Sequence, residues 1–155
     1  MEKFEKYFQL AKFNAELFSK DPTTKVGAIL LKPDLSAVVS TGINGFPRKL
    51  CDTDPKRWER PTKYKYVTHA EVNAVANAAR LGVSTDGCVA IVSLFPCKEC
   101  AKILIQSGVS HIYTEQPDFD NAQWGKEFEI SKEMLDEVGI PVTILKNNRV
   151  YKCQT

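Results

Sequence analysis

Several features that would assign this chain to a special class are missing from its sequence. No apolar run approaches the length of a membrane span, and the N-terminal stretch MEKFEKYFQLAKF lacks the uninterrupted apolar core of a signal peptide. Lysine plus arginine (21) and aspartate plus glutamate (19) nearly balance, unlike the strongly basic composition typical of nucleic-acid-binding proteins. We therefore expect a cytoplasmic protein that acts on a small molecule, with neither a membrane nor a nucleic acid as its partner.

Repeats, low-complexity segments and domain linkers are also absent, and 155 residues fit one domain covering 1–155. Helical and strand periodicities alternate along the chain. The predicted helices cover residues 2–19, 68–82, 98–106 and 125–138, and the predicted strands cover 26–31, 37–43, 89–93, 111–114 and 142–145. This order predicts an α/β fold with helices on one mostly continuous sheet. Segment 44–67 has no sustained period, and a loop of this length is more often functional than idle.

Histidine is scarce, with only two in the chain, and one of them opens a predicted helix. In the stretch THAEVNAVANAARLG, His69 is followed by Glu71 and then by small and apolar residues. A surface helix usually spreads its charged residues along one stripe. An imidazole and a carboxylate concentrated in the first turn therefore indicate a chemical role.

Cysteine supplies a second motif. Of the five cysteines, only Cys97 and Cys100 are close in sequence, in the stretch SLFPCKECAKILIQSG, where Pro96 ends a strand and both thiols fall in the next helix's first turn. In a reducing compartment, such a pair more often marks a metal or redox site than a disulfide. Combined with the first motif, it gives H-x-E and P-C-x-x-C, the recorded signature of zinc-dependent base deaminases.

These residue types suit a catalytic zinc ion. Such an ion takes three protein ligands and keeps one open position, and His69, Cys97 and Cys100 supply that number. The positive end of a helix stabilises a thiolate, which is the form that binds metal. Glu71 is not needed as a ligand, and we predict that it shuttles protons between an activated water and the substrate.

Each motif has a plainer interpretation when it is taken alone. A C-x-x-C pair occurs in redox dithiols, a lone histidine is more often structural than a ligand, and a structural zinc would take His111 as its fourth ligand. The alternative from a different class is a non-catalytic, zinc-stabilised interaction module. Glu71 speaks against that alternative, because metal binding and folding do not require a proton shuttle.

Beyond the metal motif, nearly the whole sequence resembles the deoxycytidylate (dCMP) deaminase family. The blocks that carry the resemblance are SKDPTTKVGAILL, TGINGFPR, KYKYVTHAEVNAV and SLFPCKECAKILIQSGV. The resemblance implies a three-layer α-β-α cytidine-deaminase-like fold with a central five-stranded mixed sheet, and one catalytic Zn²⁺ per chain. It implies hydrolysis of dCMP to dUMP and ammonia, which supplies dUMP for dTMP synthesis. It also implies a homo-oligomer, usually a hexamer.

The same resemblance assigns roles to individual residues. His69, Cys97 and Cys100 match the zinc ligands, and Glu71 matches the proton shuttle. The implied substrate-binding residues are Asn44 for the sugar, Val26 and Ala70 for the base pocket, Lys25 and Arg48 for the 5′-phosphate, and Tyr66 for a wall over the sugar or base. The sugar and phosphate assignments each have a simpler interpretation. Asn44 belongs to an Asn-Gly pair, which is common in turns, and basic residues such as Lys25 and Arg48 are often merely solvated at the surface.

One departure from the family pattern concerns regulation. Many members carry Gly-Tyr-Asn-Gly in a segment involved in control by the effectors dCTP and dTTP with Mg²⁺, whereas Ile43 occupies the tyrosine position here. An apolar side chain cannot provide both the stacking and the hydrogen bond of a phenol. We therefore predict altered feedback control and, as alternative substrates, dCTP, modified dCMP or another free cytosine nucleotide or nucleoside. Deamination of a polynucleotide is disfavoured by the modest net charge of +2.

Overall fold

The predicted order of helices and strands is confirmed within residues 3–145, the part of the chain that the computed structural model describes. Each predicted boundary of a regular element lies within two residues of the observed one. The helices are α1 (Lys3–Phe18), α2 (Pro55–Trp58), α3 (Ala70–Leu81), α4 (Lys98–Gln106) and α5 (Gly125–Glu137). The strands are β1 (Gly27–Leu31), β2 (Val38–Ile43), β3 (Val89–Val92), β4 (His111–Thr114) and β5 (Val142–Ile144).

The strands form the five-stranded mixed sheet that the resemblance implied, in the order β2-β1-β3-β4-β5. Strand β1 runs antiparallel to both of its neighbours, while β3, β4 and β5 are parallel to one another. Every residue of β1 and β3 is buried, because helices cover both faces of the sheet. The α/β fold with three layers is thereby confirmed.

Alternate residues of the central strands supply two separate hydrophobic cores. On one face, Ile29 and Ile91 pack with Phe8 of α1. On the other face, the core joins β1 and β3 to side chains from α3, α4 and α5, among them Ala74 and Leu104. Helix α1 therefore forms one outer layer, and the three later helices form the other.

Glycine allows two helices to lie directly on the sheet. A Cβ at Gly27 would come within 2.0 Å of the Ala11 carbonyl oxygen of α1, and a Cβ at Gly42 would come within 2.0 Å of the Ala70 carbonyl oxygen of α3. Ala70 is the first residue of α3 and follows His69. The bare backbone of Gly42 thus sets the height at which α3 starts above β2.

Segment 44–67 is more ordered than its lack of periodicity predicted. It contains α2 and a 3₁₀ turn over Thr62–Lys65. Asp54 caps α2 by accepting a hydrogen bond from the Lys56 backbone N–H at 3.0 Å, and a proline occupies the first helical position. Trp58 stacks on Phe46 with ring centroids 4.1 Å apart, which holds α2 against the start of the segment.

The positions of Cys51 and Cys88 indicate neither a metal site nor a disulfide. Cys51 is exposed and Cys88 is buried, and both are free thiols. Cys153 lies outside the described residues. Within residues 3–145, no helix combines the length and the apolar character that a membrane crossing requires.

The close approach at Gly42 gives a test of the packing. We expect Gly42→Ala to lower the free energy of unfolding by about 1–3 kcal/mol or more, because the new methyl group overlaps the backbone of α3. Gly45→Ala is the matched control, since a Cβ there meets nothing within 4 Å, and its effect should stay within about 0.5 kcal/mol. Urea unfolding of both variants measures the difference, and equal stabilities would contradict the packing described here.

Candidate active site

Two helix N-termini meet at one point of the structure. His69 is the N-cap residue of α3, and Cys97 is the N-cap residue of α4, with Cys100 in the first turn of the same helix. Both N-cap residues have extended backbones, and neither side chain caps its own helix. All three side chains are therefore available to a shared site between the helices.

The three potential ligand atoms have the spacing that a zinc ion requires. His69 Nδ1 lies 3.5 Å from Cys97 Sγ and 3.3 Å from Cys100 Sγ, and all three atoms lie within 4.8 Å of one another. Tetrahedral zinc at its usual bond lengths of about 2.0–2.3 Å separates neighbouring N and S ligand atoms by roughly 3.5–3.8 Å. The donor set and the geometry fit a Zn²⁺ ion with three protein ligands.

Hydrogen bonding within the cluster favours a thiolate. The hydrogen bond between the Cys100 and Cys97 thiols is the largest cause that lowers the pKa of Cys97, and the contact with His69 adds to it. Together they bring the pKa of the Cys97 thiol to about 4. The same bond to Cys97, together with burial, raises the pKa of the Cys100 thiol. The bond to Cys97 raises the pKa of His69. A thiolate stabilised in this way is the chemical form that coordinates zinc.

Glu71 lies beside the cluster and outside the ligand group. Its side chain is only 4% exposed, and burial raises the pKa of its carboxyl group above the ordinary value. Within residues 3–145, the candidate metal ligands are His69, Cys97 and Cys100, and Glu71 is not among them. A carboxyl group buried next to a metal site, without being a ligand, is positioned for proton transfer.

The other histidine, His111, is not part of the group of candidate metal ligands found within residues 3–145. His111 begins β4, stacks on Tyr113 with centroids 4.3 Å apart, and places Nε2 2.8 Å from the Thr143 hydroxyl. The alternative of a four-ligand site that includes His111 is therefore wrong.

A cavity with an empty volume of about 600 Å³, including its open mouth, leads to the cluster. Glu71, His69 and Cys97 all line it. Three predicted substrate-binding residues, Val26, Asn44 and Ala70, also line this cavity. The structure thus brings six of the ten predicted site residues to one cavity, and Cys100 joins them through the cluster.

The Asn44 side chain is fully hydrogen-bonded within the protein. Its Oδ1 accepts bonds from the Ser19 hydroxyl and the Val26 N–H, both at 2.9 Å. Its Nδ2 donates to the Thr24 carbonyl at 2.8 Å and to Asp21 Oδ2 at 3.3 Å. The amide therefore fixes the entrance to β1 and has a fixed orientation at the cavity wall.

The other three predicted residues, Lys25, Arg48 and Tyr66, do not line this cavity, and their substrate contacts stay predictions. Lys25 is exposed and pairs with Glu16 at 3.1 Å. Arg48 donates a hydrogen bond to Asn77 and lines a different cavity. Tyr66 packs against Phe46 with centroids 5.6 Å apart. Charge and sequence proximity indicated Lys25 and Arg48, but neither property determines where a long side chain points.

The structure adds an ion pair that no sequence pattern indicated. Lys63 Nζ donates to both carboxylate oxygens of Asp21, at 2.8 and 3.0 Å, and to the Thr23 hydroxyl at 2.7 Å. Both side chains are buried at the cavity wall. Burial alone raises the pKa of Asp21, but the bonds from Lys63 and Thr23 outweigh it and lower the pKa overall. Because all three Lys63 donors are used, Lys63 is an internal partner of Asp21.

Three aromatic residues of the cavity were also missed: Phe95, Trp124 and Phe128. Phe95 lies in the stretch SLFPCKEC but was given no role there, and Trp124 and Phe128 lie outside the quoted motifs. Phe128 lies on the buried face of α5, and Trp124 immediately precedes that helix. Such residues are indistinguishable from ordinary core residues until the packing of α5 is known.

Comparison with known proteins identifies the family. The model of the cytidine and deoxycytidylate deaminase zinc-binding region matches residues 1–116. The chain belongs to this deaminase family. Its enzyme class is therefore that of the hydrolytic deaminases, and the His69, Cys97 and Cys100 cluster lies in its zinc-binding region.

Relatives and solved structures agree with this membership. The chain is 38% identical over 141 residues to an uncharacterised deaminase of Aliivibrio fischeri, covering 90% of this chain and 91% of that protein. It is 37% identical over 145 residues to a probable deoxycytidylate deaminase of Caenorhabditis elegans, covering 91% and 68%. The dCMP deaminase of cyanophage S-TIM5, solved with dCMP and dUMP, superposes with a TM-score of 0.73 at 25% identity, covering 94% and 99%.

The cluster geometry gives a direct test of the ligand set. We expect Cys97→Ser and Cys100→Ser each to lose most of the bound zinc, which is about one ion per chain in the parent protein, because a hydroxyl is a far weaker zinc ligand than a thiolate. Cys51→Ser, at an exposed thiol, should keep its zinc. Elemental analysis of the purified proteins measures this, and full zinc content in either cluster variant would refute the assignment.

Proposed function

We propose that this enzyme hydrolyses dCMP to dUMP and ammonia in pyrimidine deoxynucleotide metabolism, where the product serves dTMP synthesis. The observation that carries the proposal is the buried Glu71 carboxyl beside a three-residue zinc cluster at the end of an open cavity. The likeness to a dCMP deaminase solved with dCMP and dUMP supports this choice of substrate.

The chain's residues divide the chemical work between them. When bound, Zn²⁺ lowers the pKa of a water molecule to about 7 and so supplies a nucleophile at neutral pH. His69, Cys97 and Cys100 hold the ion. Glu71 accepts a proton from the attacking water and delivers it to the ring nitrogen next to C4. It then carries the second proton to the amino group, which leaves as ammonia when the C4–N bond breaks.

The walls of the cavity suit the rest of a nucleotide. Val26 and Ala70 form part of the surface against which the base would lie, and Asn44 presents a fixed amide at the wall. Arg60 is exposed at the same cavity, with Nη2 3.3 Å from the Thr24 hydroxyl. A guanidinium in that position suits a phosphate. We therefore assign the 5′-phosphate contact to Arg60 in place of Lys25 and Arg48.

Relaxed specificity remains the second candidate. Among residues 3–145, Arg60 and Lys63 are the cations that line this cavity, and Lys63 is held in a buried ion pair. Few of the described charges therefore distinguish one phosphate from three. Ile43 lines the other cavity together with Arg48 and Asn73. Turnover of dCTP or modified dCMP, and altered control by dCTP or dTTP with Mg²⁺, therefore stay predictions, as do the cytoplasmic location and the absence of a nucleic-acid partner.

We also propose self-association. Leu10, Phe13 and Leu17 are 46%, 60% and 57% exposed on the outer side of α1. Their spacing of three and four residues places them on one helical stripe. An apolar stripe of this kind supports an interface between copies of the chain. A hexamer is the form that the resemblance implies.

Removal of the shuttle tests the mechanism. We expect Glu71→Ala and Glu71→Gln to keep one zinc per chain and to lose at least about 10²- to 10⁴-fold in kcat for dCMP, because proton transfer is no longer assisted. Glu99→Ala is the matched control on α4, since Glu99 is exposed and pairs with Lys102. Ammonia release, measured beside zinc content, decides the outcome, and substantial activity in both Glu71 variants would sink the mechanism.

The phosphate assignment has its own test. We expect Arg60→Ala to raise KM for dCMP by about 10- to 100-fold, the effect of losing one charge-assisted hydrogen bond, and to leave turnover of deoxycytidine unchanged. Lys25→Ala and Arg48→Ala serve as charge-matched controls and should change KM little. A large effect of either control, with none from Arg60→Ala, would return the phosphate site to the originally predicted residues.

A further inference from the structure

We infer that Trp124 is a specificity-determining residue whose indole contacts the substrate's cytosine ring. The inference rests on the proposed function and deepens it. It concerns a residue outside the zinc motif, at the start of a helix that carries none of the metal ligands. The physical claim is that the base lies against this ring when its C4 reaches the cluster.

The first support is the arrangement of three rings along the cavity. Trp124 contacts His69 edge to face, with centroids 6.1 Å apart and planes at 71°. It contacts Tyr64 in the same way, with centroids 5.9 Å apart and planes at 78°. All three residues line the cavity, and the tryptophan is the middle one. A flat ring that moves inward to the metal ligands must pass this aromatic wall.

The second support is the change in exposure along that wall. Glu71 is only 4% exposed, His69 and Trp124 are half-buried, and Tyr64 is 36% exposed. Exposure therefore increases from Glu71, at the closed end of the cavity, to Tyr64, at its mouth. Trp124 therefore lies between the reaction centre and solvent, at the depth where the base of a nucleotide would sit when its phosphate reaches exposed Arg60.

The third support is that the backbone of Trp124 is fixed by its own segment. Asn121 Oδ1 accepts the backbone N–H groups of Gln123 and Trp124 at 3.0 and 2.9 Å. A Cβ at Gly125 would come within 2.1 Å of the Phe119 carbonyl oxygen, so the turn is tightly closed.

The fourth support is the connection between this segment and the cluster. Lys98, the residue after Cys97, pairs with Glu127 of α5 at 2.9 Å. Phe95, two residues before Cys97, contacts Phe128 of α5 with centroids 5.7 Å apart. Helix α5 is thus fixed on both sides of Cys97. The indole position is coupled to the metal site by packing and by charge.

The experiment uses the fact that the chain has two tryptophans. In zinc-loaded Trp58→Phe, emission comes from Trp124 alone, and we expect dUMP to change it saturably. In zinc-loaded Trp124→Phe, only Trp58 emits, and dUMP should leave the signal unchanged because Trp58 packs on Phe46 away from this cavity. This readout requires binding and no turnover.

Kinetics supply the second arm. Trp124→Ala should raise KM for dCMP by about 5- to 100-fold at nearly constant zinc content, the usual effect of losing one base-stacking contact. Trp124→Phe should stay within roughly threefold of the parent, because it keeps a flat aromatic face. Rescue by phenylalanine separates contact with the base from a general structural role. Circular dichroism of both variants checks the fold.

The outcomes separate the two proposals. If the parent deaminates dCMP while Trp124→Ala has an unchanged KM and Trp124 emission ignores dUMP, the role of Trp124 is overturned and the proposed function stands. If the parent does not deaminate dCMP, the proposed function fails. In that case, a change in Trp124 emission on addition of dUMP still supports the contact between Trp124 and the pyrimidine ring. Unchanged Trp124 emission overturns that contact.

Discussion

The meeting of two helix N-termini at one edge of the sheet is the constraint on which the site depends. Ala28, near the start of β1, pairs with Gly42 at the end of β2 and with Val92 at the end of β3. The chain leaves β3 toward α4 at this edge. It returns toward α3 at the same edge, because Gly45 and Thr68 form a β-bridge that closes the long intervening segment. The imidazole therefore meets the two thiols although His69 and Cys97 are 28 positions apart in sequence.

The two sides of the cavity beside the metal cluster differ in chemical character. On one side a polar network joins Ser19, Asn44, Asp21 and Lys63, and it neutralises its own charges while it anchors the long segment. Removal of either partner of such a buried pair would leave an uncompensated charge in the protein interior, which is strongly destabilising. On the other side, the aromatic residues of α5 and the segment before it form an apolar wall. A substrate with one flat ring and one polar, charged end matches this division.

Sequence patterns were sufficient for the sheet and the main helices, because these depend on local spacing, and two short motifs indicated the metal cluster although His69 and Cys97 are 28 positions apart. Periodicity located the elements, and the H-x-E and P-C-x-x-C motifs lie at helix starts whose convergence follows from strand order. The short helix α2 was missed although Asp54 and Pro55 carried a capping signal. Its four residues are too few to show a period.

The features that sequence patterns did not locate have one physical cause, which is that long side chains and distant pairs are positioned by tertiary packing. Lys25 and Arg48 are close in sequence to the site but extend to Glu16 and Asn77. Lys63 reaches Asp21 across 42 positions, a pairing that no spacing rule describes. Trp124 enters the cavity only because α5 packs beside α4.

X-ray absorption spectroscopy at the zinc edge tests the central claim most directly, since it counts the atoms around the ion in the whole protein. A catalytic centre formed by the two helix starts predicts two sulfur scatterers at about 2.3 Å, one imidazole and room for a light exchangeable ligand at about 2.0–2.2 Å. Addition of dUMP should change the light-atom shell and leave both sulfurs in place. A closed shell with more than two sulfurs, or with a second imidazole, would contradict the account, because it would make the zinc purely structural.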